Sequence, residues 1–254
     1  MRTYQLWLKQ ITKLGLILMM GVSMSADAGL FGFGGTSWKE EVLLHDGQKI
    51  IVKRSVDRGG RHEIGQQPPI KEQSLTFSMP KTDERITWKS EFSEDIGLAD
   101  FQPLLLDIFQ GTAYVVTHPV GCLSYNKWGR PNPPYVIFKY QNKVWQRITI
   151  QELPTEIKTP NIIFGSPDNH AEKIGKSLIT AETIQGINST LTQPEYKTIL
   201  REAHSAHPDS QTSCPVPSNA AAKLIAPEVD GKPLYYNWWP LAQDWLNKMY
   251  GKNK

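Results

Sequence analysis

Cysteine is scarce in this sequence. Only Cys122 and Cys214 occur among 254 residues, and no CxxC pair is present. A two-cysteine zinc site would need histidine ligands at short spacing, and no histidine closely flanks either cysteine. In an oxidising compartment, two cysteines in a chain of this length favour one structural bridge. The sequence therefore predicts a disulfide between Cys122 and Cys214.

Motifs that carry catalytic or metal chemistry are also absent. The sequence contains no GxSxG, HExxH, P-loop or dinucleotide-binding fingerprint. His204 and His207 are three residues apart in a proline-bounded loop, where a mobile surface pair is the favoured interpretation. We therefore predict no catalytic residue, no metal site and no cofactor.

Long hydrophobic runs are missing as well. Leu14–Met24 is apolar but has 11 residues, whereas a membrane-spanning helix needs roughly 20. Basic residues precede this run, and Ala26-Asp27-Ala28 follows it, which is typical of a cleavable secretion signal. We expect residues 1–28 to be removed after Ala28, leaving a periplasmic or secreted protein without a transmembrane segment. An uncleaved anchor is the alternative.

Neither sign of charge dominates the mature chain. Removing residues 1–28 takes away three of the 28 basic residues and one of the 25 acidic residues, which leaves 25 against 24 and a net charge of +1. Proteins that bind nucleic acid or acidic membranes carry a basic surface. The balance therefore argues against both partners.

Regular alternation of apolar and polar residues predicts eight strands. In Ser74–Met79, for example, Leu75, Phe77 and Met79 share one face, which is typical of a strand with one solvated face. Short turns join the strands, so we expect an antiparallel meander that closes into a sandwich or barrel. The predicted strands are Lys39–Leu44, Lys49–Ser55, Ser74–Met79, Arg85–Phe92, Leu104–Phe109, Thr112–Thr117, Tyr135–Tyr140 and Val144–Ile150.

The character of the chain changes after Leu153, and helices become the expected elements. The pattern predicts a last strand at Asn161–Phe164, helices from Thr180 to Leu191 and from Pro194 to Leu200, and a C-terminal helix, Trp239–Tyr250. Trp245, Leu246 and Met249 would pack this last helix on the body. The predicted class is α+β, with a flexible leader (29–37), an antiparallel β domain (38–165) and a helical C-terminal part (166–254) packed on the sheet.

Two long polar loops carry the candidate ligand-binding residues. Asp57–Gln67 supplies Arg58, Arg61, His62 and Glu63, and His118–Pro134 supplies Trp128 and Arg130 as an opposite wall. Arginine pairs hold planar anions, and a tryptophan face accepts a ring or a cation. The alternative is that both loops are solvated surface connections, on different edges of the sheet.

Three stretches of the sequence point to a family. They are WKEEVLLHDG at Trp38–Gly47, RGGRHEIG at Arg58–Gly65 and NKWGRPNPP at Asn126–Pro134. In these stretches, and over roughly residues 38–200, the chain resembles a group of uncharacterised exported proteobacterial proteins. The resemblance implies export, and it assigns no catalytic residue.

These observations favour a non-catalytic periplasmic binding or interaction module. Its partner would be a small molecule, a glycan or a protein of the cell envelope. One alternative is a small hydrolase-like enzyme that uses Asp57 or Glu63 as a base with His62 and Arg61. A structural component of the envelope is the other alternative.

We expect the exported protein to begin at Gly29, because the small residues at Ala26 and Ala28 are those that a signal peptidase reads. N-terminal sequencing and intact mass of the exported fraction measure this directly. Mature protein that retains Met1 would contradict the prediction.

Overall fold

The structure, a computed structural model, describes residues 35–203 apart from Arg61, Glu63 and Ile64, and also describes Cys214. The predicted signal peptide, the His204–His207 pair and the predicted Trp239–Tyr250 helix lie outside the described residues. The signal and this helix stay predictions.

A first sheet is built from the N-terminal half of the described chain. Its first four strands form an antiparallel meander, and a short strand from the C-terminal part pairs parallel with the first strand. This short parallel strand was not predicted. The strands are β1 (Thr36–Leu43), β2 (Lys49–Arg58), β3 (Ile70–Ser78), β4 (Arg85–Ser90) and β11 (Leu178–Ile179).

A second meander follows a small hairpin. The hairpin consists of β5 (Phe92–Ser93) and β6 (Leu98–Ala99). The second sheet is antiparallel throughout, in the order β10-β9-β8-β7. Its strands are β7 (Phe101–Phe109), β8 (Thr112–Pro119), β9 (Val136–Gln141) and β10 (Val144–Ile148).

In the described part of the chain, four short helices and one 3₁₀ turn lie outside the sheets. The helices are α1 (Gly121–Lys127), α2 (Pro167–Ile174), α3 (Ala181–Ser189) and α4 (Pro194–Lys197), and the 3₁₀ turn is Ile150–Glu152. Thr180 caps α3 by accepting a hydrogen bond from the Thr183 backbone N–H. Among the described residues, no helix has the length and apolar character needed to cross a bilayer.

The inward faces of the two sheets share one hydrophobic core. Val52 and Trp88 from the first sheet join Leu106 and Val115 from the second in a single buried cluster. Both sheets remain open, with β10 and β4 as edge strands within the described part of the chain. The α+β class is therefore confirmed, and the barrel alternative is wrong.

The predicted strand Asn161–Phe164 is also wrong. The Asn161 N–H bonds to the Leu104 carbonyl of β7 at 3.2 Å, but beyond it side chains, rather than a neighbouring strand, bond to the backbone. The Asn188 amide accepts from the Phe164 N–H and donates to the Ile162 carbonyl. The Ile163 N–H donates to Glu40 Oε2 at 3.1 Å, and Arg54 Nη1 donates to the Ile163 carbonyl at 2.5 Å. This segment, residues 161–164, therefore lies against the sheets without joining a ladder.

Glu40 and Arg54 form an ion pair whose side chains have no solvent exposure. Arg54 Nη1 donates to Glu40 Oε1 at 3.1 Å, and Trp38 Nε1 donates to the same oxygen at 2.8 Å. The Arg54 guanidinium also lies 5.6 Å from the centre of the Trp38 ring. Each charge is thus desolvated and depends on its partner for compensation.

Replacing Arg54 by Met should lower the free energy of unfolding by about 3–5 kcal/mol, because it leaves the Glu40 carboxylate buried without its cation. Urea unfolding of the variant measures the loss. Lys49→Met is the matched control, since Lys49 pairs with Glu41 and Glu182 at the surface and its loss should cost much less than the loss of Arg54. Equal losses in the two variants would contradict this role for the buried pair.

Candidate functional site

The Arg58 side chain makes its hydrogen bonds within the protein. Its Nε and Nη2 donate to the two carboxylate oxygens of Asp168 at 2.5 and 2.7 Å, and its Nη1 donates to the Pro68 carbonyl at 2.8 Å. Beside it, Gln67 and Asn169 exchange amide hydrogen bonds at 2.9 Å. Arg58 therefore fastens the β2–β3 loop to the first turn of α2.

Of the other predicted residues of this loop, the structure describes only His62. His62 is exposed, with Nδ1 3.0 Å from the Gly60 carbonyl. Arg61 and Glu63 lie outside the described residues. The predicted ligand site at these four residues stays a prediction.

Trp128 and Arg130 are also held by contacts within the protein. The Trp128 ring lies 4.7 Å from the Phe101 ring, and the Arg147 guanidinium lies 5.4 Å from the centre of the indole. Arg130 donates from Nη1 to Asn126 Oδ1 at 2.6 Å and from Nη2 to the Cys214 carbonyl at 2.7 Å.

Cys122 and Cys214 lie at disulfide distance, with Cα atoms 5.4 Å apart across 92 residues of sequence. This pairing was predicted, and its geometry is confirmed. The bridge and the Arg130 hydrogen bond hold Cys214 against α1. Arg130 therefore contributes to anchoring the later part of the chain.

The two long loops lie at the same end of the sheets. Phe101 at the start of β7 pairs with Pro119 at the end of β8, and Gln73 Nε2 of β3 donates to the Phe101 carbonyl at 2.6 Å. The β5–β6 hairpin lies between the loops. Gly60 of the first loop is so close to Gly97 of the hairpin that a Cβ added to Gly60 would lie 3.0 Å from the Gly97 carbonyl oxygen.

Lys127 of α1 ties this hairpin to the second loop. Its Nζ lies 2.9 Å from Asp95 and 3.1 Å from Asp100, and it donates to Ser93 Oγ at 2.6 Å. Burial lowers the pKa of Lys127, but the two carboxylates outweigh burial and raise that pKa above its usual value. Lys127 is therefore a fixed cation, and it cannot serve as a general base for the Ser93 hydroxyl.

A different pair of residues forms a site at the opposite end of the sheets. His45 lies in the turn between β1 and β2, and Asp107 lies near the end of β7. His45 Nδ1 is 2.7 Å from Asp107 Oδ1, and the His45 N–H donates to Oδ2 at 3.0 Å. The Ile108 N–H donates to Oδ1 at 2.7 Å. The Asp107 carboxylate is thus surrounded by donors.

Burial dominates the electrostatics of Asp107. Only 3% of the residue is exposed, and burial raises the pKa of this carboxyl although His45 and the backbone donors act to lower it. The His45 side chain is 17% exposed, and its ring centre lies 5.3 Å from that of Phe109. His45 Nε2 has no hydrogen-bond partner among the described residues. That nitrogen is available to a ligand.

Two open clefts meet at His45. The larger, about 480 Å³, lies between the turns at 44–48, 79–84 and 108–111. The second, about 380 Å³, lies between the first turn, residues 156–161 and the start of α3. Both volumes fall in the range of small-molecule sites. Leu44 and His45 line both clefts.

The larger cleft has an apolar floor and a polar rim. Buried Leu44, Met79 and Ile108 form the floor, where the core of the two sheets reaches the surface. The rim is polar and consists of Gln48, Lys81, Thr82, Glu84 and Gln110. Such a surface accepts a molecule with an apolar body and a polar group.

Sequence reasoning missed this site. One local signal was present: Asp107 interrupts the apolar run LLLDIF, and a charge in a buried strand needs a partner. The partner, His45, is 62 residues away in the sequence, so local patterns could not identify it. Among the described residues, no group of three His, Cys, Asp or Glu side chains is placed to hold a metal ion.

No protein-family model, curated protein or solved structure matches this chain.

A buried histidine, His118, makes a testable contribution to stability. His118 is 3% exposed, and burial lowers its pKa to about 4, against a smaller opposing effect of the Pro119 carbonyl. The unfolded chain, with a histidine pKa near 6.5, therefore binds a proton more readily than the folded protein does. The stabilising contribution is complete above about pH 6.5 and is lost as the pH falls towards 4.

Because the unfolded chain binds a proton at His118 more readily, the free energy of unfolding should fall by about 3 kcal/mol between pH 7 and pH 4. His118→Gln should flatten that part of the curve, which urea unfolding at several pH values measures. The exposed His62 supplies the control, since His62→Gln should leave the slope as in the parent protein. If the free energy of unfolding of His118→Gln varied with pH as steeply as that of the parent protein, another group would be responsible for the pH dependence.

Proposed function

We propose that this chain is an exported binding module that takes a small amphipathic molecule into the larger of the two clefts at His45. The observation that carries the proposal is the partly exposed imidazole of His45, fixed by a buried carboxylate beside an apolar floor. A polar group held rigidly in an apolar cleft provides orientation and specificity, while the floor provides binding energy.

The fold supports this proposal by holding the three turns on strands that share a core. We interpret the two packed sheets as a sandwich, with the cleft at one end. Turns that emerge from a rigid scaffold are frequent positions for binding residues. The arrangement at the opposite end is different, because Arg58, Trp128 and Arg130 already contact other parts of the protein.

Export is part of the proposal and is supported by two features. The N-terminal 28 residues have the order of a secretion signal, and the Cys122–Cys214 pair at disulfide distance suits an oxidising compartment. The hydrolase alternative at the Asp57–Glu63 loop has no comparable support, since Arg61 and Glu63 lie outside the described residues.

A thermal-shift screen of small aromatic and short-chain alcohols, amides and acids tests the proposed site. Compounds that raise the Tm of the parent protein should bind about tenfold more weakly to His45→Gln, since one hydrogen bond in a cleft is worth about 1.4 kcal/mol. Titration calorimetry of the hits gives the two Kd values. His62→Gln should bind as the parent does.

Two results would count against the site. One is equal affinity of every hit for the parent and for His45→Gln. The other is a loss of affinity in His62→Gln that matches the loss in His45→Gln, which would locate binding at the other end of the sheets.

A further inference from the structure

The hydrogen bonds around Asp107 determine where the His45 proton lies. Two of its three donors are backbone N–H groups, which can only donate, so both carboxylate oxygens act as acceptors. With the Asp107 carboxyl group ionised, the His45 Nδ1 contact at 2.7 Å is an N–H donating to Oδ1. In neutral His45 the lone pair is therefore on Nε2, the atom with no partner among the described residues.

This is the arrangement of a general base. A carboxylate that accepts from one ring nitrogen holds the imidazole in a single tautomer and orientation, and it stabilises the imidazolium that forms when the other nitrogen takes a proton. The Phe109 ring, with its centre 5.3 Å away, lies beside the imidazole. The base is thus held in place before any substrate arrives.

The position of His45 between the two clefts indicates what such a base would act on. A molecule bound at His45 has room for one part in the 480 Å³ cleft and another in the 380 Å³ cleft. A bond between those two parts would lie beside Nε2. An ester has this form, with an acyl part on one side and an alcohol part on the other.

The attacking group in this arrangement is water. No serine or cysteine lines either cleft in the part of the chain that the structure describes. The two threonines that do line them, Thr82 and Thr159, are not hydrogen-bonded to His45. A covalent acyl-enzyme on a protein hydroxyl is therefore not needed, and the base acts on water directly.

We propose that His45 and Asp107 form a general-base pair that hydrolyses a small carboxylic ester lying across the two clefts. His45 Nε2 takes a proton from water as the water oxygen bonds to the carbonyl carbon. The C–O bond to the alcohol then breaks, and the same proton passes from Nε2 to the departing alkoxide. Ester and water give acid and alcohol, with the base regenerated. His45 is the catalytic residue, and Asp107 is a positioning residue.

Charge around the clefts selects the kind of ester. Apart from the His45–Asp107 pair, four carboxylates and two ammonium groups line the clefts. They are Asp46, Glu84, Glu156 and Glu182, with Lys81 and Lys158. Lys49 lies 2.8 Å from Glu182 and offsets one of the negative charges. The remaining excess is negative, so a neutral ester is favoured over one that carries a carboxylate.

The inference rests on the proposed binding site, and the experiment distinguishes a failure of catalysis from a failure of binding. The mature, oxidised protein is assayed with 4-nitrophenyl acetate, 4-nitrophenyl butyrate and the anionic 4-nitrophenyl succinate half-ester. We expect saturable hydrolysis of the neutral esters, with kcat/KM at least tenfold lower for the half-ester.

Variants assign the activity to the pair. His45→Ala should lose at least 90% of the saturable rate and regain part of it with added imidazole, which a merely structural histidine would not show. Asp107→Asn should lower kcat at least tenfold with little change in KM, because the tautomer is no longer fixed. His170→Gln, in helix α2, should keep the parent rate. Circular dichroism establishes that each variant is folded.

Several outcomes would overturn the inference. They are saturable activity that survives in His45→Ala, absence of rescue by imidazole, or no saturable hydrolysis by the parent protein. If hydrolysis is absent but the compounds from the thermal-shift screen still bind through His45, the binding proposal stands and the catalytic one falls. If both are absent, both fall.

Discussion

Glu40 and Arg54 carry opposite charges at 0% exposure, and most of the contacts that compensate them come from elsewhere in the chain. The Ile163 backbone N–H and carbonyl bond to Glu40 Oε2 and Arg54 Nη1. Two buried charges cost several kcal/mol each unless such partners are present. The pair therefore joins β1 and β2 to the segment at 161–164. Arg54 Nε and Nη2 already have no hydrogen-bond partner among the described residues, and without that segment Arg54 Nη1 and Glu40 Oε2 would each lose a partner as well.

That segment also connects the first sheet to the second. Asn161 Nδ2 donates to the Leu43 carbonyl of β1 at 2.9 Å and to the Leu106 carbonyl of β7 at 2.8 Å. One amide side chain thus bridges β1 of the first sheet and β7 of the second. It lies among the residues that line the smaller cleft at His45. The position of Asp107 on β7 relative to His45 on the β1–β2 turn therefore depends on the same contacts that hold the two sheets together.

Local patterns predicted the strands well, because alternation reflects a local property, the burial of one face. All eight predicted strands are present, and α3 begins after its predicted cap Thr180. Helix α1 was missed because Val120 at its start provides no side-chain cap. Helix α2 had signals in Pro167 and Gly175, but its buried residues are Pro167, Asp168 and Ala171, so no large apolar side chains marked it. The strand predicted at 161–164 failed because long-range side chains replaced the neighbouring strand.

The candidate site was beyond local patterns for the same reason. Asp107 alone signals a buried charge in need of a partner, but nothing nearby in the sequence identifies His45. A role confined to fastening the turn needs only the His45 N–H, which already donates to Oδ2 at 3.0 Å. The imidazole adds a second bond from the same residue and leaves Nε2 at the junction of two clefts. Burying a carboxylate to orient an imidazole costs stability. The position of His45 Nε2 explains that cost. The Asp107 carboxylate serves to position this free nitrogen rather than to fasten the turn.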